Sequence, residues 1–170
     1  GILKQKKIGH TGTLDPQAQG VLPVCLGKGT KLCDLLADHD KEYEAVLRLG
    51  ITTDTQDMEG TILKESSVQV SEEEVRTCIL SFQGEQQQVP PMYSALKVNG
   101  KKLYELAREG KVVERKARPV TFHNIEVLWM ELPKVKIRVQ CSKGTYIRTL
   151  CNDIGEKLGC GGCMEELLRT

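Results

Sequence analysis

The sequence predicts an α+β fold, a mixed, largely antiparallel sheet flanked by helices, and three observations lead there. Stretches of alternating apolar residues outnumber stretches of helical period. Two of them, "RPVTFHNIEVLWM" and "KVKIRVQCS", are parted only by a turn near Pro133, so they can pair as a hairpin. The helical stretches are too few to serve as crossovers in a parallel sheet. At 170 residues the chain is long enough for one domain, and about 70% of its unfolded surface can leave water on folding.

From the N-terminus, "GILKQKK" reads as the last turns of a helix, followed by a glycine-rich loop, "GHTGTLDPQAQG". "VLPVCLG" reads as a short buried strand. "TKLCDLLADHD" is expected to be a helix with Leu32, Leu35 and Leu36 on one side. "KEYEAVLRLG" alternates, with Tyr43, Ala45, Leu47 and Leu49 on one face of a strand. "TTDTQDMEG" is rich in turn formers and is expected to be a loop. In "SEEEVRTCILSF", Ser71 with Glu74 forms a capping box ahead of apolar residues at helical spacing. "VPPMYSALKVNGKKLYELAREG" combines a stiff Pro90-Pro91 entry, a short strand, an Asn99-Gly100 turn and a helix ending at Gly110. The second hairpin strand turns Val135, Ile137, Val139 and Cys141 inward, and "TYIRTLCNDIGEKLG" closes the series as a helix.

Seven cysteines are scattered through the chain as an odd number, and several fall on apolar stripes, so they read as reduced core thiols of a cytoplasmic protein. "CGGC", Cys160 to Cys163, has no second Cys or His pair at zinc spacing. His10, His39 and His123 share no metal spacing either. No apolar run approaches the roughly 18 residues of a membrane span. The net charge is only +1, but it is segregated. Residues 1–31 hold five lysines against Asp15, and 134–148 hold five basic residues and no acid, whereas 32–88 hold thirteen acids against four bases. Such a distribution builds a positive face on a neutral protein, as a polyanionic partner requires.

The three glycines around Asp15 match no nucleotide-binding loop. What remains is a lone carboxylate on a backbone that a ligand can approach closely. A carboxylate is a possible nucleophile, kept ionised by a nearby Arg. By residue type alone, an Asp before Pro, as Asp15 before Pro16, is more often a turn former, and the residues do not decide between the two.

Here a resemblance becomes specific. "GHTGTLDPQAQGVLPVCLGKGTK" resembles the motif around the catalytic aspartate of the TruB family of tRNA pseudouridine-55 synthases. "KEYEAVLRLGITTDTQDMEG", "VPPMYSALKVNGKKLYELAREG" and "CSKGTYIRTLCNDIGEKLG" resemble the family's further blocks, in its order. The resemblance implies a pseudouridine-synthase-type sheet, and isomerisation of a uridine in the T-loop of tRNA, without cofactor or metal. By it, Asp15 is the catalytic aspartate and Arg148 the arginine that orients it and lowers its pKa. Tyr43 lies against the target base, Tyr146 lines the same pocket, and Leu167 or Leu168 supplies an apolar wall. His10 stands near the extruded base. Lys4, Lys6, Lys7, Lys28, Lys31, Lys97 and Lys143 are collective candidates for phosphate contacts.

On the same resemblance, residues 1–170 are expected to be a single catalytic domain. It would start after the family's N-terminal "K-P-x-G-x-T-S" block and end before the PUA-type RNA-binding domain of bacterial members. A monomer acting on the tRNA T-arm, in the cytoplasm and without membrane contact, is expected. The rival readings are a non-catalytic RNA-binding module or tRNA-folding chaperone on the same scaffold and, more weakly, a nucleoside hydrolase or glycosidase, which commonly needs a second carboxylate.

Overall fold

Residues 2–98 and 100–170 are described by a computed structural model. In chain order its elements are β1 (Ile8–His10), β2 (Gln19–Gly20), β3 (Val24–Leu26), a 3-10 turn (Gly27–Leu32), α1 (Cys33–Ala37), β4 (Lys41–Leu49), β5 (Ile51–Thr53) and β6 (Ile62–Glu65). They continue with α2 (Glu72–Leu80), β7 (Gly84–Gln88), β8 (Lys97–Val98), β9 (Lys101–Lys102), α3 (Leu103–Arg108), β10 (Arg118–Glu131), β11 (Lys134–Cys141), α4 (Ile147–Lys157) and β12 (Gly162–Arg169).

The alternation in β4 and β11 builds the centre. Six strands run in the order β2-β12-β4-β11-β10-β7, antiparallel throughout except for the short parallel pairing of β12 with β2. Tyr43 pairs with Val139, Ala45 with Ile137 and Leu47 with Val135, so inward residues of the two strands meet across the ladder. Val75, Cys78 and Ile79 of α2 and Ile147, Leu150, Cys151 and Ile154 of α4 join the same core. Leu47, Ile137, Leu150 and Ile154 are at most 1% exposed, and each contributes roughly 1.5–3 kcal/mol of transfer free energy.

Two glycines let α4 approach β12: a Cβ on Gly155 would stand 2.1 Å from the Gly162 backbone nitrogen. The capping box on α2 forms as expected, with Ser71 Oγ accepting from the Glu74 N–H at 3.3 Å and Glu74 Oε2 accepting from the Ser71 N–H at 2.8 Å. The β10–β11 hairpin forms as well. A satellite core of Met92, Leu103 and Leu106 holds β8, β9 and α3 together. α3 ends at Arg108, with Glu109 as its C-cap ahead of Gly110 at positive φ. The expected Asn99-Gly100 turn includes Asn99, which lies outside the described residues.

Several expectations are corrected. Ile2–Lys7 is turn and irregular backbone, not helix. "VLPVCLG" is not buried: β3 pairs with β1 alone and leaves Val21 and Val24 more than half exposed, because neither α2 nor α4 covers this pair. The helix expected over 30–40 divides into the 3-10 turn and the short α1, and its leucines face outward. The loop 52–60 is flanked by a hairpin, β5 with β6. Three strands of the main sheet, β2, β7 and β12, were not anticipated, and β12 pairs with the central β4. Cys25 and Cys33 are half-buried, whereas the other five cysteines are buried. No helix of the described residues is long and apolar enough to cross a membrane.

Candidate active site

Asp15 sits in the loop between β1 and β2, where the chain turns back on itself. Its carbonyl accepts from the Ala18 N–H at 2.9 Å, with Pro16 fixing the intervening φ. The loop is held at both ends. The Thr11 N–H donates to the Pro23 carbonyl at 3.2 Å, and the Val21 N–H to the Arg169 carbonyl at 2.9 Å. Gly20 takes φ +107° against β12, where a Cβ would come within 2.0 Å of the Arg169 carbonyl oxygen, so only glycine fits.

Arg148 arrives from the first turn of α4, a position where the helix dipole disfavours a cation by about 0.3–1 kcal/mol. Two carboxylates offset that cost. Nη2 donates to Asp15 Oδ1 at 3.0 Å, while Nε stands 2.9 Å from Asp15 Oδ2 in ion-pair contact without hydrogen-bond alignment. Nη1 lies 3.5 Å from Asp57 Oδ2 and donates to the Thr55 carbonyl at 3.1 Å; Nη2 also reaches the Tyr93 carbonyl at 3.0 Å. The Arg148 side chain is 6% exposed, so the guanidinium is fixed from four sides.

The sequence reading missed Asp57, because "TTDTQDMEG" signals turns as strongly as it signals a site. Its Oδ1 accepts from Thr55 Oγ1 at 2.6 Å and from the Glu59 N–H at 3.1 Å, which orients the carboxylate toward Arg148. Gln88 was also missed. From the end of β7 its side chain brackets Tyr146, accepting from the Tyr146 N–H at 2.9 Å and donating to its carbonyl at 3.1 Å, and so sets where α4 begins.

Asp15, Arg148 and Asp57, though not Gln88, line a cavity of about 630 Å³. Tyr43, Tyr146 and Leu167 face it as well. Of the two leucines expected as a wall, Leu167 lines the cavity, and Leu168 is not among the lining residues. Tyr43 comes from β4, opposite Arg169 of β12. Burial raises its phenol pKa, against the lowering effect of a hydrogen bond with Arg169. His10 is exposed outside the lining, and its Nδ1 accepts from the Gly12 N–H at 3.4 Å. Lys31 and Lys97 are exposed and lie away from the lining, whereas Lys143 lines the cavity paired with Asp38.

Arg148 lowers the Asp15 pKa, as the resemblance implied, but it does not set the net direction. Burial raises the Asp15 carboxyl above its ordinary value, Arg148 opposes this, and the charge of Asp57 adds to the rise. Arg148 is shared with a second carboxylate, so only part of its field serves Asp15. Three further atoms in cavity-lining residues, Ser94 Oγ, Glu165 Oε2 and Arg169 Nη2, are buried without a hydrogen-bond partner among the described residues. Such groups are satisfied by a polar ligand or by water.

The architecture falls in the class of the pseudouridine synthases. It superposes on the crystal structure of a Cbf5-Nop10-Gar1 complex with TM-score 0.75 and 36% identity, over 99% of this chain and 41% of that one. It also superposes on the structure of an H/ACA RNP bound to a substrate RNA containing 2'-deoxyuridine, with TM-score 0.70 and 32% identity, over 99% of this chain and 39% of that one. Within that class the chain belongs to the TruB family. Residues 1–147 match the TruB family pseudouridylate synthase N-terminal domain, and 148–170 match the tRNA pseudouridylate synthase B C-terminal domain. That division passes between Ile147 and Arg148 in the first turn of α4, inside a continuous helix. The tRNA pseudouridine synthase B of Clostridium novyi (strain NT) is 62% identical over 97% of this chain and 57% of its own length. That of Lachnoclostridium phytofermentans is 62% identical over all of this chain and 58% of its own length. The chain thus spans a little over half the length of these relatives.

Proposed function

We propose that this chain carries the catalytic unit of a tRNA pseudouridine-55 synthase, with residues 1–170 acting as one domain. The observation that carries the reading is the Asp15–Arg148 pair at the wall of the large cavity. Family membership and relatives named tRNA pseudouridine synthase B support it. In the reaction, the N1–C1′ bond of a uridine breaks, a C5–C1′ bond forms, and the C5 proton is lost as N1 gains one, so the product is an isomer. No cofactor is required by that balance.

Each side chain has a physical task in this reading. Asp15 is the catalytic group. Its raised pKa makes the ionised carboxylate a stronger base than a free one, suited to attack and to proton transfer. Arg148 holds it in one orientation with a planar fork. Tyr43 offers a ring to the extruded base, replacing stacking of about 1–3 kcal/mol. Tyr146 and Leu167 close the pocket around that base, and His10 approaches the T-loop from outside the cavity. Lys31 and Lys97, with the other exposed lysines, meet phosphates of the T-arm. The protein acts as a monomer in the cytoplasm.

The test is pseudouridine formation in a T-arm stem-loop RNA with metal chelated, comparing this chain, a full-length chain of the family's size and Asp15→Ala in both. Conversion of the single T-loop uridine by the parent and not by the variant is expected. Binding without conversion by the full-length parent would replace this reading with that of an RNA-binding module or folding chaperone.

A further inference from the structure

Two of the seven cysteines stand together beside the strand pair that leads into the Asp15 loop. In the antiparallel pair β1–β3, Gly9 is the direct partner of Cys25, so the side chain of Cys25 projects on the face where Gly9 would carry its own. On such a ladder opposed Cβ positions are about 4.5–5.5 Å apart. The Cβ position of Gly9 is taken by another residue: Cys33 Sγ, from the first residue of α1, lies 2.7 Å from it, and Cys33 Cβ lies 3.9 Å from it. Both thiols therefore sit over one glycine, on one face of a two-stranded sheet.

Exposure separates this pair from the other thiols. Cys25 and Cys33 are half-buried, and Cys78, Cys141, Cys151, Cys160 and Cys163 are buried. Burial also pushes the Cys141 and Cys163 thiols up to about 11 and raises Cys78 and Cys151, which keeps them protonated and unreactive at neutral pH. At Cys33, desolvation, the neighbouring Cys25 thiol and the Asp34 carboxylate raise the pKa and Lys7 opposes them only in part, so it is exposure and mutual proximity, not acidity, that set this pair apart.

We propose that Cys25 and Cys33 form a reactive dithiol that small-molecule disulfides convert to an intramolecular disulfide, cross-linking β3 to α1 across Gly9. One thiolate attacks a sulfur of the small disulfide and expels the first small thiolate. The second cysteine attacks the protein sulfur of that mixed disulfide, and a second small thiolate leaves. The protein gives up two protons and two electrons, and the small disulfide takes them up to become two thiols. The bond would fix the 3-10 turn, which carries Lys28 and Lys31, against the strands that frame the Asp15 loop. This inference stands on thiol geometry alone and is independent of the proposed RNA chemistry.

The test treats the folded chain with oxidised glutathione, blocks remaining thiols with N-ethylmaleimide, and maps peptides by mass spectrometry. The expected result is a Cys25–Cys33 cross-link as the dominant product, with the other five cysteines reduced and alkylated only after denaturation. Cys33→Ser should instead accumulate a glutathione adduct on Cys25. Should that variant fail to fold by circular dichroism, Cys25→Ser gives the mirror reading, an adduct on Cys33. Stable glutathione adducts on Cys25 or Cys33 of the parent chain, or both thiols still free after oxidation, would overturn the proposal.

Discussion

The carboxylate in the glycine-rich loop is governed by three charges rather than two. Arg148 is shared between Asp15 and Asp57, so the net effect on Asp15 is a raised pKa with burial as the main cause. A carboxyl whose folded pKa exceeds its unfolded one favours folding in its protonated form. That contribution is complete below the ordinary carboxylate value and is lost as pH rises through the raised value. Asp15→Asn, which mimics the protonated acid, should therefore abolish turnover while leaving the protein at least as stable as the parent at neutral pH. Thermal unfolding at two pH values checks this, with the difference shrinking in acid. Activity of the parent should rise through a step above the usual carboxylate range. In Asp57→Asn the step should move to lower pH, because a neighbouring negative charge has been removed. A pH–rate profile with the step unmoved would show that Asp57 acts only on Arg148. Arg148→Lys keeps the charge but loses the fork that contacts Asp15, Thr55 and Tyr93. It should cost about 100-fold or more in kcat, with RNA affinity within a few fold.

At the scale of elements, the site depends on how α4 is seated. Its first turn delivers Arg148, and its middle packs on β12 through Gly155 against Gly162. Gly155→Ala should force the helix from the sheet and destabilise the chain by about 1–3 kcal/mol in urea unfolding, with a larger loss of activity than of structure. The paired strands β4, β10 and β11 and the helices α2, α3 and α4 were legible in the sequence because period and turn chemistry agreed there. β12 was not legible. "GCGGCMEELLR" mixes glycines with consecutive glutamates, and a bulge between Met164 and Glu166 breaks the alternation that would mark a strand. β7, "GEQQQ", has no apolar alternation at all and is held by backbone pairing to β10. For the site, the resemblance carried Asp15, Arg148 and Tyr43, which the structure brings to one cavity. Asp57 and Gln88 act through contacts with Arg148 and Tyr146 distant in sequence, which no local pattern displays.

For the molecule as a whole, the charge map read from the sequence is altered by folding. The five basic residues between Lys134 and Arg148 looked like part of a positive face, yet each is matched by an acid from another segment. Lys134 pairs with Glu165, Lys136 with Glu44, Arg138 with Glu44 and Glu126, Lys143 with Asp38, and Arg148 with Asp15 and Asp57. Lys31 and Lys97 make no ion pair among the described residues and are exposed. A lysine already neutralised by a carboxylate gains less from a phosphate and releases fewer counterions, so the two groups should separate in a salt titration. RNA affinity should fall linearly on logarithmic axes as salt rises. Lys31→Gln and Lys97→Gln should each flatten that slope by roughly one unit, lowering affinity equally across RNA sequences. Lys136→Gln should leave the slope nearly unchanged, since Glu44 retains Arg138 as a partner. A slope that responds to Lys136 as strongly as to Lys31 would mean that the RNA strips these ion pairs on binding and reads the sheet face directly.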